Sequence, residues 1–146
     1  MGIRIRVSAV IIKDGSILLV RHEKEGKAYW LLPGGGVEQA ETLSQALKRE
    51  IVEEVSLEVD PLKLLFVSES ISSQARHILH LSFLVRANEG KIKMEKDERL
   101  KGAQYFKANE LKGLKIYPDI KNELINILQD KGEYKGKLYL GNRFHD

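Results

Sequence analysis

Hydrophobic residues alternate with others from the start of the chain. Ile3, Ile5, Val7, Ala9 and Ile11 recur with a period of two, which predicts a strand over residues 3–12 with one face in a core. Asp14-Gly15 is a hairpin signal, and Ile17–Val20 reads as the return strand. Residues 21–29 are charged and contain Gly26, so a loop is expected there, followed by a short apolar piece, Trp30–Leu32. Pro33-Gly34-Gly35-Gly36 is expected to form a loop without regular structure. Thr42, with Gln45 three residues on, is a capping box that opens a helix running to about Val55. Val59–Ile71 and His77–Val85 read as long strands joined by a polar turn at Ser72-Ser73-Gln74. Residues 86–100 read as a long loop or irregular hairpin, and Ala103–Phe106 as a short strand. Beyond Pro118 comes a helix whose core face is Ile120, Leu124, Ile127 and Leu128. The tail from Gly132 to Asp146 shows no clear periodicity. Few helices and an early hairpin predict an α+β sandwich in a single domain over residues 1–146, rather than a doubly wound parallel sheet.

The helix after Thr42 is the most informative element. With Leu43 at zero and about 100° per residue, Ala46, Leu47, Ile51, Val55 and Leu57 fall on one broad half. Gln45, Lys48, Arg49 and Ser56 fall on the half that should face solvent. Glu50 and Glu54 lie about 20° from Leu43 and Glu53 about 80°; grouped with the apolar half, all three are expected to point at the protein body. Clustered, partly buried carboxylates repel one another and lose hydration. They need a basic side chain, a shared proton or a divalent cation, and hard cations prefer carboxylate oxygen.

Composition adds exclusions. The 146 residues are 42% hydrophobic and 31% charged, with a formal charge of +3 and no cysteine. Such a chain can build a core, and it has no disulfide, cysteine metal site or cysteine nucleophile. Lys and Arg are interleaved with Glu and Asp, so no basic stripe for nucleic acid is seen. The N-terminal apolar run is too short to span a bilayer and alternates, unlike a signal peptide, so the expected location is the cytoplasm, without a membrane partner.

Gly35 to Leu57, GGVEQAETLSQALKREIVEEVSL, resembles the Nudix box: Gly35, Glu41, Arg49, Glu50, Ile51, Glu53, Glu54 and Leu57 match, and Ser56 stands where the family has glycine. The resemblance implies a Nudix-like α/β/α sandwich with a mixed β-sheet. It also implies divalent-metal-dependent hydrolysis of a diphosphate linkage, with Mg²⁺ or Mn²⁺ as cofactor. By the same likeness Glu50, Glu53 and Glu54 are metal ligands, joined by the backbone carbonyl of Gly34. Arg49 orients a box glutamate, and Glu41 supports the geometry from behind. Glu53 is the first candidate for general base. Glu98 is the second, with Glu95 and Asp97 as rivals.

Three further residues are candidates for substrate contact: Trp30 for stacking on a base, and Arg21 and Lys27 for phosphate. His77 and His80, three apart on a strand, point to opposite faces and cannot share a metal; both read as structural or surface residues. The tail aromatics Tyr134, Tyr139 and Phe144 suit packing on the body or on a second subunit, in a homodimer. No proline occurs from Leu62 to Tyr117, and the marks of subfamilies acting on ADP-ribose, dinucleoside polyphosphates or NADH are absent. The expected substrate is therefore a small-molecule nucleotide: a nucleoside diphosphate derivative such as ADP-ribose, or a nucleoside triphosphate. Two alternatives stand beside it, a catalytically silent nucleotide sensor and an RNA 5′ pyrophosphohydrolase.

Overall fold

The structure is a computed structural model that describes residues 2–90 and 100–144. Asp14 and Gly15, both at positive φ, turn strand β2 (Ile12–Lys13) into β3 (Ser16–Lys24), as expected from the Asp-Gly pair. β1 (Arg4–Val10) precedes this hairpin. The expected loop at 21–29 is instead a second hairpin: β3 continues to Lys24 and pairs with β4 (Lys27–Leu31) around Glu25 and Gly26. Backbone pairing needs no apolar side chain, so a charged composition concealed it. The glycine run is also regular. β5 (Gly34–Gly36) lies antiparallel to β1, with Val7 opposite Gly35.

Helix α1 (Leu43–Val55) begins at the predicted capping box, where Thr42 Oγ1 accepts from the Gln45 N–H and Gln45 Oε1 accepts from the Thr42 N–H. Thirteen residues are marginal as an isolated helix; the packing of Ala46, Leu47, Ile51 and Val55 holds it. The helix ends at Ser56 in the left-handed region, φ 61° and ψ 32°. Left-handed geometry costs a residue with a Cβ roughly 1–2 kcal/mol. Glycine would give the unfolded chain more freedom, which offsets part of the gain. Ser56→Gly should therefore raise the melting temperature slightly; a lower value would mean that the serine hydroxyl stabilises the helix end.

The rest of the chain is β6 (Val59–Ile71), β7 (His77–Ala87), β8 (Leu100–Phe106), the short α2 (Ala108–Leu111), α3 (Lys121–Gln129) and β9 (Tyr139–Asn142). One sheet runs β5-β1-β7-β6-β9, with β1–β7 and β6–β9 parallel and the other pairs antiparallel. The second runs β2-β3-β4, with β8 also on β3. The tail that lacked periodicity thus contributes an edge strand, and Arg143 ties it to α3 through both Glu123 carboxylate oxygens, at 3.0 and 3.1 Å.

Two apolar layers flank the sheets. One gathers α1 with Val7, Ala9, Leu18, Val20 and Leu31. The other gathers α3 with Val10, Ile17, Leu19, Phe66 and Phe106. This is an α+β sandwich with a mixed sheet, helices on both sides. Among the described residues no helix is long and apolar enough to cross a membrane.

Candidate active site and metal centre

Arg49 organises the carboxylates. The helix wheel sent it to solvent, yet its side chain curls back over the segment before α1. Nε and Nη2 donate to Glu41 at 2.6 and 2.8 Å, Nη2 also to the Gly36 carbonyl at 3.1 Å, and Nη1 to Glu50 at 2.8 Å and Glu53 at 3.3 Å. All five N–H groups of the guanidinium are used. These bonds hold the Glu41 carboxyl down at about 2, Arg49 first and the Glu38 N–H second, and they raise the Arg49 pKa. Glu41 is thus a support for Arg49.

Glu50 lies over Gly35, which has no Cβ in the space its carboxylate fills. Glu54 Oε1 accepts from the Gly34 N–H at 2.9 Å, and its Oε2 stands 3.8 Å from Nε2 of His22. Glu50 and Glu54 are largely covered, as expected, with side chains 20% and 11% exposed. Glu53 corrects the angular prediction, for its side chain is 58% exposed and its bond to Arg49 runs along the helix surface. Among the described residues no three His, Asp or Glu side chains converge on one point. Arg49 draws Glu50 and Glu53 to itself while Gly34 holds Glu54.

The donor set nevertheless suits a hard divalent cation. One guanidinium faces Glu41, Glu50 and Glu53, and Glu54 adds a fourth carboxylate with a backbone N–H and a histidine as neighbours. Negative charge exceeds positive at this point, all donors are oxygens, and the glycine backbone leaves room beside Glu50.

The substrate candidates are distributed differently. Arg21 and Trp30 are cross-strand partners on the α3 side, where Trp30 packs edge-on against Phe106 at 4.8 Å and Arg21 stands 3.6 Å from Glu23. Lys27 is exposed at the hairpin tip. The structure does not bring these three to the carboxylates. It brings His22 and Tyr29 instead, partners on the same hairpin with rings 5.7 Å apart. The Glu25-Gly26 pair between Lys24 and Lys27 was the available signal for that hairpin. Glu95, Asp97 and Glu98 lie outside the described residues. His77 and His80 are separated as expected. His77 stands 3.4 Å from Glu69, whereas His80 is 3% exposed and contacts Ser70.

An α/β/α sandwich that ties carboxylates of one helix to a glycine strand through a single arginine defines a recognisable class. The NUDIX domain matches residues 2–126, and the chain belongs to the Nudix family. An ADP-ribose pyrophosphatase of Methanocaldococcus jannaschii is 35% identical over 109 residues, which cover 73% of this chain and 63% of that protein. The 8-oxo-dGDP phosphatase of Homo sapiens is 35% identical over 96 residues, 64% of this chain and 28% of that protein. The chain therefore matches less than two thirds of the length of these relatives. Among solved structures, the MutT Nudix hydrolase of Burkholderia pseudomallei superposes with a TM-score of 0.74 at 26% identity, covering 86% of this chain and 98% of that one.

Proposed function

We propose that this chain is a single-domain, divalent-metal-dependent hydrolase that cleaves the diphosphate linkage of a nucleoside diphosphate derivative. The observation that carries the reading is the excess of carboxylate around Arg49, with Glu50 and Glu54 held against a glycine strand. The family generally uses divalent metal ions. Glu50, Glu53 and Glu54, with the Gly34 carbonyl, would hold Mg²⁺ or Mn²⁺, which supplies charge neutralisation and Lewis acidity at the diphosphate. Arg49 keeps Glu50 in place through a pair that is hydrogen-bonded on every N–H. Glu53, the most exposed of the three, is reachable by water and takes its proton as general base. ADP-ribose and other nucleotide sugars are the first substrates to try, because a relative is named for that activity; nucleoside triphosphates are the second.

The test is a panel of nucleotide sugars, dinucleotides, triphosphates and 5′-triphosphate RNA, assayed with Mg²⁺, with Mn²⁺ and with EDTA. Turnover of a nucleotide diphosphate that disappears in EDTA is expected. Full turnover in chelator would remove the metal mechanism. Tight nucleotide binding without turnover would identify a sensor instead.

A further inference from the structure

The face of the first sheet that looks toward α3 carries an unusual polar track. Arg6 on β1 is in register with His80 on β7 and through it with Ser68 on β6, and Ser8 and Ser82 form the neighbouring row. Ser8, Ser68, Ser70, His80 and Ser82 are all 1–3% exposed. Most of this track satisfies itself. Ser8 and Ser82 hydroxyls lie 3.0 Å apart. Tyr117 donates its hydroxyl to Ser70 at 2.9 Å, and Ser70 meets His80 Nε2 at 2.6 Å. Burial, and after it the charge of Arg6, holds the His80 pKa down to about 3. His80 is therefore neutral, and the fixed positive charge of the track belongs to Arg6.

Arg6 is the charged member of the track, and the buried His80 Nδ1 is the track's atom without a hydrogen-bond partner among the described residues. The Arg6 guanidinium donates to the Leu32 carbonyl at 3.0 Å, and among the described residues it makes no ion pair. Burial lowers its pKa, and the charges of Glu54 and Glu50 oppose that shift. A half-buried arginine with no ion pair among the described residues keeps N–H groups suited to planar, two-point contact with phosphate. Arg21 and Lys27 offer no equivalent, the first partnered by Glu23 and the second in solvent.

We infer that Arg6 binds a phosphate oxygen of the diphosphate, above the neutral floor made by His80, Ser70 and Tyr117, and so couples anion binding to cation binding. This rests on the hydrolase reading. The negative charges of Glu54 and Glu50 favour the charged form of Arg6. A cation taken up by those carboxylates withdraws that support, and a phosphate oxygen restores it. Arg6 thus opposes metal binding before the substrate arrives and favours the complex of both.

The coupling gives a readout that a purely structural role does not. Wild type, Arg6→Gln and Arg6→Lys of the full chain are titrated with α,β-methylene-ADP, a diphosphate that resists cleavage, in Mn²⁺ by calorimetry. Mn²⁺ alone is followed by electron paramagnetic resonance, and melting temperature is recorded for each. Arg6→Gln is expected to weaken the analogue at least about tenfold, the scale of a lost charge-assisted hydrogen bond. Arg6→Lys should recover part of that loss, and Mn²⁺ alone should bind Arg6→Gln as tightly as wild type or more tightly. Unchanged analogue affinity in Arg6→Gln overturns the inference. So does a parallel loss of Mn²⁺ and analogue binding. If Arg6→Gln fails to fold, Arg6→Lys decides: weaker analogue binding with intact Mn²⁺ binding supports the assignment, and unchanged binding refutes it. A wild type that turns over no nucleotide and binds no analogue sinks the hydrolase reading together with this one, whereas a wild type with normal turnover and an indifferent Arg6→Gln sinks this one alone.

Discussion

Glu53→Gln should lower turnover at least about a hundredfold, the scale of losing a general base or metal ligand, with the melting temperature almost unchanged. The side chain is 58% exposed, and its described bond is the 3.3 Å contact to Arg49 four residues back. Such exposed pairs on a helix contribute about 0.3–0.5 kcal/mol, too little to move the fold. A surface glutamate with no chemistry would be replaced without consequence. The measurement is kcat on the best substrate of the panel beside a thermal melt. Wild-type kcat in Glu53→Gln would remove this residue from the mechanism and turn attention to the acidic residues near Glu98.

Two adjacent glycines should respond in opposite ways to the same change. A Cβ on Gly34 would stand 2.0 Å from the Val7 carbonyl oxygen and 2.7 Å from the Ser8 Cα. Both are backbone atoms of β1, an inner strand paired on both sides, so they cannot yield without parting β1 from β5. Gly34→Ala should cost more than about 3 kcal/mol, a drop in melting temperature on the order of 10 °C. A Cβ on Gly35 would stand 2.1 Å from Oε2 of Glu50, the far end of a side chain that can swing aside. Gly35→Ala should therefore fold with little change in melting temperature and lose activity at least about tenfold, because Glu50 leaves its place. Equal destabilisation in the two variants would mean that the glycines serve only the backbone.

The sequence made much of α1 legible, and its error is instructive. The capping box and the covered positions of Glu50 and Glu54 follow from local spacing, and the left-handed Ser56 fits the glycine that the resembled family has there. Glu53 went astray because it lies about 80° from Leu43, at the margin of the apolar half, and Leu43 is itself 37% exposed. The buried arc centres nearer Leu47, which puts Glu53 about 120° from it. The β3–β4 hairpin and the glycine strand β5 were hidden because their pairing is made by backbone, which leaves no trace in side-chain alternation. Arg6 was hidden for a different reason, while His80, read as structural or surface, proves to be buried. Alternation tells which residues share a face, and the polar face was assigned to solvent by default. Only the strand order, with β1 between β5 and β7, shows that this face is covered too.

The saturated guanidinium of Arg49 has a consequence for the order of events in the life of the protein. Arginine is charged at every physiological pH, so the clamp on Glu41, Glu50 and the Gly36 carbonyl is available as soon as the chain collapses. On the proposed mechanism, folding is then expected not to wait for an ion. The cation of the proposed mechanism becomes a late passenger, boarding a chain already shaped and leaving it standing on departure. A zinc finger works the other way round, since there the ion is what the chain folds upon. For this protein, scarcity of metal would set how much of the folded population works, not how much of the chain is folded.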